Sequence, residues 1–321
     1  MTSAPPDFGT DDLGECKIVS PLRATRFMDT SKRLLFRADI EQLRAQFRAG
    51  VDPHAFELAG PRKSIYFDPG ALRCGIVTCG GLCPGLNDVI RSIVFCLGEK
   101  YGVATIYGFR FGYEGLVERS ALTPIELTTR RVSQIHEVGG TVLGSSRGPQ
   151  PADEMVDTLE RLGIQLLFTI GGDGTLRGAH SIVEEIRRRE LKIAVVGVPK
   201  TIDNDISFID MSFGFDTAVE AARQATRAAY VEASCHRSGI GLVKLMGRDS
   251  RVHRQLRRTC RYAGWPMPDP RSRVQHRWSG PSGQSAHRTR WIRGDRRSRG
   301  SGPNPVGRCS GVGCVREPSP R

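Results

Sequence analysis

The stretch 168–205 constrains the fold more than any other part of the chain. It carries two glycine- or aspartate-bearing loops, Gly171-Gly172-Asp173-Gly174-Thr175 and Pro199-Lys200-Thr201-Ile202-Asp203-Asn204-Asp205, each at the end of a short apolar run. The runs 166–170 and 193–198 have strand length, and Leu176, Ala179, Ile182, Val183 and Ile186 between them recur at helical spacing. The unit is therefore strand, loop, helix, strand, loop. A right-handed crossover of this kind brings both loops to one edge of a parallel sheet, where open α/β sheets bind their ligands. The glycines let the backbone approach a phosphate closely, and the helix N-terminus behind them offers unpaired N–H groups. A carboxylate in such a loop has a metal ion as its natural partner.

Charge divides the chain in two. Residues 251–321 hold 17 Arg, no Lys and 3 acidic residues, which leaves 30 basic against 31 acidic in the first 250 and assigns the net +13 to the tail. The near-neutral part is long enough for a sizeable core. It has no apolar run of membrane-spanning length and opens on a polar, acidic stretch without the pattern of a secretory signal, so a cytoplasmic location is expected. Cys16, Cys74, Cys79, Cys83, Cys96 and Cys235 show no paired zinc spacing and read as reduced, buried thiols.

Residues 1–62 read as an extension with one helix over 31–49, suited to packing or subunit contact. From Arg73 an α/β alternation begins. A strand at 74–78 runs into Cys79-Gly80-Gly81-Leu82-Cys83-Pro84-Gly85-Leu86-Asn87, and a helix follows with Asn87 or Asp88 as its expected cap. A glycine-rich strand-to-helix turn suits phosphate, although many α/β proteins use one only for packing. Another strand is expected at 103–107, a loop at 108–116 and a helix at 131–138. This helix leads into Gly139-Gly140-Thr141-Val142-Leu143-Gly144-Ser145-Ser146-Arg147-Gly148, where backbone donors and a guanidinium suit a polyphosphate or serve as an ordinary surface loop. Thr217-Ala218-Val219-Glu220 has capping-box spacing and opens a helix to about Ser234, and a buried strand at 240–245 ends in Met246-Gly247-Arg248.

In this order the motifs closely resemble those of the phosphofructokinase family, over residues 63–250. The lead-in Tyr66-Phe67-Asp68-Pro69 and the N-terminal extension are similar to the plant-type ATP-dependent branch that also occurs in bacteria. Gly-Gly-Asp-Gly-Thr is shared with lipid and NAD kinases, whereas Pro-Lys-Thr-Ile-Asp-Asn-Asp is a signature of this family. The resemblance implies an α/β, Rossmann-like parallel sheet with helices on both faces and a second domain cut short. It also implies transfer of the ATP γ-phosphoryl to the 1-hydroxyl of fructose 6-phosphate, a glycolytic step.

Roles follow by position. Asp203 matches the catalytic base, with Thr201 and Lys200 beside it. Gly80, Gly81, Arg147, Gly148, Gly172, Asp173, Gly174 and Thr175 match the ATP site. Thr201, Ile202, Asp203, Met246, Gly247 and Arg248 match sugar-phosphate contacts. Asp173 matches the Mg²⁺ ligand, and one carboxylate is enough for an ion that keeps most of its waters. Gly at 174 favours ATP, because pyrophosphate-dependent relatives carry Asp there; Lys200 occurs with either donor. A homo-oligomer is expected from the family, and neither a membrane nor nucleic acid is expected as a partner.

After Ser250 the resemblance stops. Residues 251–321 contain one Leu, one Ile, no Phe and all three Trp, too little aliphatic content for a core. The tail reads either as an arginine- and tryptophan-bearing nucleic-acid arm or as the out-of-frame product of a GC-rich gene, and the break inside a motif favours the second. An impaired enzyme, an inactive ATP-binding remnant, a pyrophosphate-dependent enzyme and a nucleic-acid binder are therefore the functional readings.

Overall fold

The computed structural model describes residues 12–23, 26–36, 39–53, 55–236 and 240–245, with three short strands further on. The chain divides into two compact units, Met1–Pro199 and Lys200–Arg321.

In the first unit short antiparallel pairs come before the main sheet. Strand β1 (Ile18–Val19) pairs with β4 (Ser64–Ile65), and β2 (Arg33–Leu35) pairs with β3 (Ala55–Glu57). Between β2 and β3 lies helix α1 (Ile40–Arg48), capped by Asp39, whose side chain accepts from the Gln42 amide. The helix expected over 31–49 is therefore shorter, because its first residues pair as a strand instead.

The main sheet has five strands in the order β7-β6-β5-β8-β9. Its parallel members are β5 (Arg73–Thr78), β6 (Thr105–Phe109), β8 (Leu166–Gly171) and β9 (Ala194–Pro199). The edge strand β7 (Ile125–Glu126) runs antiparallel to β6, so the sheet is mixed. Side-chain alternation along β8 assigns its two faces. Leu167 joins a core with Val77, Phe109, Tyr113 and residues of α4 (Ala152–Leu162) and α5 (Asp173–Arg188). Leu166 and Phe168 point the other way, toward α2 (Leu86–Phe95) and the π-helical turn Cys96–Tyr101. There, with Ile93, Leu97 and Leu72, they line an apolar cavity of about 340 Å³. Helices thus cover both faces. Helix α4 was not anticipated, although Met155, Val156 and Leu159 repeat at helical spacing and are fully buried.

Three local expectations are corrected. Helix α2 begins one residue before Asn87 with Gly85 as its N-cap in the left-handed region (φ 92°), so neither Asn87 nor Asp88 caps it. The helix expected at 131–138 is a single turn, α3 (Thr129–Val132), followed by a 3₁₀ turn at Ile135–Glu137. The loop expected at 108–116 completes β6 and then forms a 3₁₀ turn, Gly112–Leu116. Of the cysteines, Cys74, Cys79 and Cys83 are buried, Cys96 is intermediate, and Cys16 and Cys235 are exposed. Burial pushes the Cys74 thiol up to about 12.

The second unit opens with the loop that begins at Lys200 and continues into α6 (Phe215–Ser234), capped by Gly214 rather than by a box at Thr217. Strand β10 (Ile240–Lys244) pairs antiparallel with β13 (Val312–Arg316), and β11 (His276–Arg277) pairs with β12 (Arg288–Thr289). The expectation that 251–321 has no core otherwise lies outside the described residues. Among the described residues no helix is long and apolar enough to cross a membrane.

Candidate functional site

The strand order defines a crevice. From β5 the chain adds β6 on one side and later β8 and β9 on the other, so the direction of winding reverses between β5 and β8. At such a switch point the loops leaving neighbouring strands diverge and open a ligand site at the carboxyl edge. Both glycine loops of the first unit leave from there. They are also tied together, because the Cys79 amide donates to the Ile170 carbonyl at 2.9 Å and extends the β5–β8 ladder past Thr78.

The third segment, 139–148, is stitched onto the first loop. The Gly80 amide donates to the Ser146 carbonyl (3.0 Å), and Ser145 Oγ donates to the Gly80 carbonyl (2.6 Å). Thr78 Oγ1 donates to the Gly144 carbonyl (2.7 Å) and lies 3.0 Å from Thr141 Oγ1. A Cβ built on Gly81 would stand 3.2 Å from Arg147 Nη2, so the guanidinium lies directly over the glycine backbone. Gly80 itself has φ 86°, a conformation that favours glycine.

The Gly-Gly-Asp-Gly-Thr loop turns from β8 into α5 with Gly172 as N-cap, so Asp173 and Gly174 open the helix where its dipole favours anions. Both are exposed, and a Cβ on Gly174 would meet nothing within 4 Å. Thr175 is buried against Gly171, and its carbonyl accepts from the Tyr113 hydroxyl at 2.7 Å. Burial pushes the Tyr113 phenol well above its ordinary range, which keeps it protonated and donating. No group of three or more His, Cys, Asp or Glu able to hold a metal occurs among the described residues. Asp173 is a single exposed carboxylate at the start of α5.

Gly80, Gly81, Arg147, Gly148, Gly172, Asp173, Gly174 and Thr175 therefore all lie on segments joined at one edge of one sheet. In the second unit, Lys200 and Thr201 are buried and the loop is tightly self-bonded. Thr201 Oγ1 donates to Asp205 Oδ1 (2.6 Å) and accepts from the Asp203 amide (3.1 Å), which fixes the backbone carrying the Asp203 carboxylate. Ser212 Oγ donates to the Thr201 carbonyl, and the Asn204 amide group bonds both Asp210 O and Ser212 N. Ile202 sits between these anchors, half-buried. Met246, Gly247 and Arg248 lie outside the described residues. The bracing side chains Thr78, Tyr113, Ser145 and Ser212 carried no signal of their own; Tyr113 could have been suspected from the small Gly178 opposite its ring.

Comparison with known proteins identifies the family. The phosphofructokinase family model matches residues 73–252, more than half of the chain. The ATP-dependent 6-phosphofructokinase of Trypanosoma brucei brucei is 60% identical over 200 residues, covering 62% of this chain and 41% of that protein. The ATP-dependent 6-phosphofructokinase of Borreliella burgdorferi is 49% identical over 251 residues, covering 76% of this chain and 56% of that protein. ATP-dependent 6-phosphofructokinase 7 of Arabidopsis thaliana is 54% identical over 195 residues, covering 61% and 40%. The chain spans about half the length of the curated relatives it matches, and it belongs to the phosphofructokinase family.

Proposed function

We propose that the first unit binds ATP with Mg²⁺ at the switch-point crevice. We further propose that the chain corresponds to the nucleotide half of a 6-phosphofructokinase, which transfers the ATP γ-phosphoryl to the 1-hydroxyl of fructose 6-phosphate. One observation carries this reading: the β5 and β8 glycine loops meet at the reversal of strand order, with an arginine over one and an exposed aspartate at the helix start of the other.

Gly80 and Gly81 let the triphosphate lie against the main chain, and Arg147 balances its charge from above. Asp173 would hold Mg²⁺, which when bound neutralises charge on the β- and γ-phosphates. The open space beside Gly174 leaves room for an α-phosphate and supports ATP over pyrophosphate as donor. In the second unit, Asp203 is the base that takes the proton of the attacking hydroxyl. Its main chain is held by the Thr201 hydroxyl, and Lys200 supplies a cation for the transferring group. Met246, Gly247 and Arg248 serve the sugar phosphate.

Phosphoryl transfer is mostly positioning plus electrostatics, and good orientation contributes on the order of 7–11 kcal/mol of barrier reduction. The family match ends at residue 252, so the remaining sugar-binding groups of the family have no counterpart in the match. Turnover by the 321-residue chain is therefore expected only at trace level, while nucleotide binding is retained. The test combines a thermal-shift titration with a coupled assay. Mg·ATP should raise the melting temperature and a random oligonucleotide should not. A shift with the oligonucleotide alone would overturn the nucleotide reading, and full turnover would overturn the account of the missing groups.

A further inference from the structure

We propose that Asn87 is a positioning residue for the nucleotide phosphates: its buried carboxamide clamps segment 138–142 to the start of α2 and so sets where Arg147 stands over Gly81. This rests on the nucleotide reading above.

Asn87 is 2% exposed. Its Nδ2 donates to the Val138 carbonyl at 2.7 Å, and its Oδ1 accepts from the Val142 amide at 2.9 Å. One partner can only accept and the other can only donate, so the orientation of the amide is fixed by chemistry. Asn87 is therefore not a helix cap. Gly85 fills that position and leaves the side chain to bridge two sites more than fifty residues away in sequence.

The bridged segment needs such a device. Gly140, Gly144 and Gly148 all have positive φ (80°, 69° and 114°), so the main chain there has wide intrinsic freedom. Leu143 anchors its middle in the core, and Thr78, Ser145 and Ser146 tie residues 144–146 to the β5 loop. The arm 138–142 is held to α2 by the Asn87 clamp. Arg147 is exposed, with Nη2 3.2 Å from where a Cβ on Gly81 would stand, so the position of the main chain that carries it decides where its guanidinium can reach. A shift of the arm moves the cation relative to the glycine floor, and a displacement of about 1 Å is enough to spoil charge placement of this kind.

The test uses the full chain and Mg·ATP as probe. Asn87→Ala should weaken Mg·ATP binding, read by calorimetric titration, by about tenfold, the scale of coupling within one hydrogen-bonded network. In an Arg147→Ala background the same substitution should change affinity by less than about twofold, because the group it positions is gone. An equal loss in both backgrounds would mean a purely structural role and would overturn the proposal. Asn87→Asp keeps the acceptor for Val142 but loses the donor to Val138, so it guards against misfolding of the alanine variant; wild-type affinity in Asn87→Asp would overturn the clamp. Hydrogen exchange gives a readout without ligand. The Val142 amide should exchange faster in Asn87→Ala while α4 and α5 stay protected, and an unchanged rate at Val142 in that variant alongside normal Mg·ATP binding overturns the role of Asn87 alone. If the wild-type chain binds no Mg·ATP, the nucleotide reading falls and this role falls with it.

Discussion

Gly178 sits in the middle of α5, where alanine would ordinarily be better by about 1 kcal/mol because glycine has more backbone freedom to lose. The structure predicts the opposite sign. A Cβ at Gly178 would lie 2.5 Å from Tyr113 Cε2 and 3.2 Å from Cζ, well inside contact distance. The ring cannot easily give way, because Tyr113 is 5% exposed, belongs to the core with Phe109, Leu116 and Met155, and is pinned by its hydroxyl bond to Thr175 O. Overpacking of this kind typically costs 1–3 kcal/mol, so Gly178→Ala should destabilise by up to about 2 kcal/mol after the propensity gain. At about 2–4 °C per kcal/mol for a unit of this size, the melting temperature should fall by up to about 8 °C. The control is Tyr113→Leu, which removes the colliding atoms. In that background Gly178→Ala should become neutral or stabilising by up to about 1 kcal/mol, a reversal of sign measurable by denaturant unfolding of the four chains in the cycle. A higher melting temperature for Gly178→Ala in the otherwise unchanged chain would refute the reasoning, and so would coupling below about 0.5 kcal/mol.

Two further outcomes follow from the charges. Glu185 accepts hydrogen bonds from Arg188 and Arg189, which hold its carboxyl at about 2 rather than at its ordinary 4.5. Its contribution to stability is therefore complete above about pH 4.5 and lost as pH falls toward 2, and Glu185→Gln should flatten the acid limb of a melting-temperature profile over that window. At the crevice, Gly174→Asp should cut Mg·ATP affinity tenfold or more while sparing Mg·pyrophosphate. Like charges about 4 Å apart at a protein surface repel by about 4 kcal/mol before salt screening, and equal ATP affinity in that variant would sink the donor assignment.

The parts of the fold that could be read from sequence are those where local pattern and tertiary need agree. The strand runs that became β5, β8 and β9, and the helical spacing of Ala179, Ile182 and Ile186, lie where expected: β5, β8 and α5 bury their apolar residues in the way their own periodicity demands, whereas β9, at the sheet edge, is half-exposed and is held by its parallel pairing with β8. The failures are competitions that pattern alone does not decide. At 31–49 the start of a helical pattern pairs as β2 with β3 instead. At 240–245 the strand forms, yet its partner is β13 in the tail and not another strand of the main sheet, a pairing that no composition argument about the tail could supply.

The same division runs through the candidate site, and two asparagines show why. Asn87 and Asn204 are both buried, at 2% and 4% exposure, and each uses its amide to donate to one main-chain carbonyl and accept from one main-chain N–H. For Asn204 the partners are Asp210 and Ser212, six and eight residues on, and the residue adopts a left-handed conformation (φ 50°) that asparagine tolerates better than most. Such a brace is local, and a reader of the sequence could suspect it from an asparagine in a polar turn. For Asn87 the partners are 51 and 55 residues away, and only the packing of the 139–148 segment against the start of α2 brings them into reach. A sequence shows which residues carry charge or leave space for a phosphate, because those properties belong to single positions. It does not show which neutral side chain holds the charged one in place, because that property belongs to a pair created by the fold.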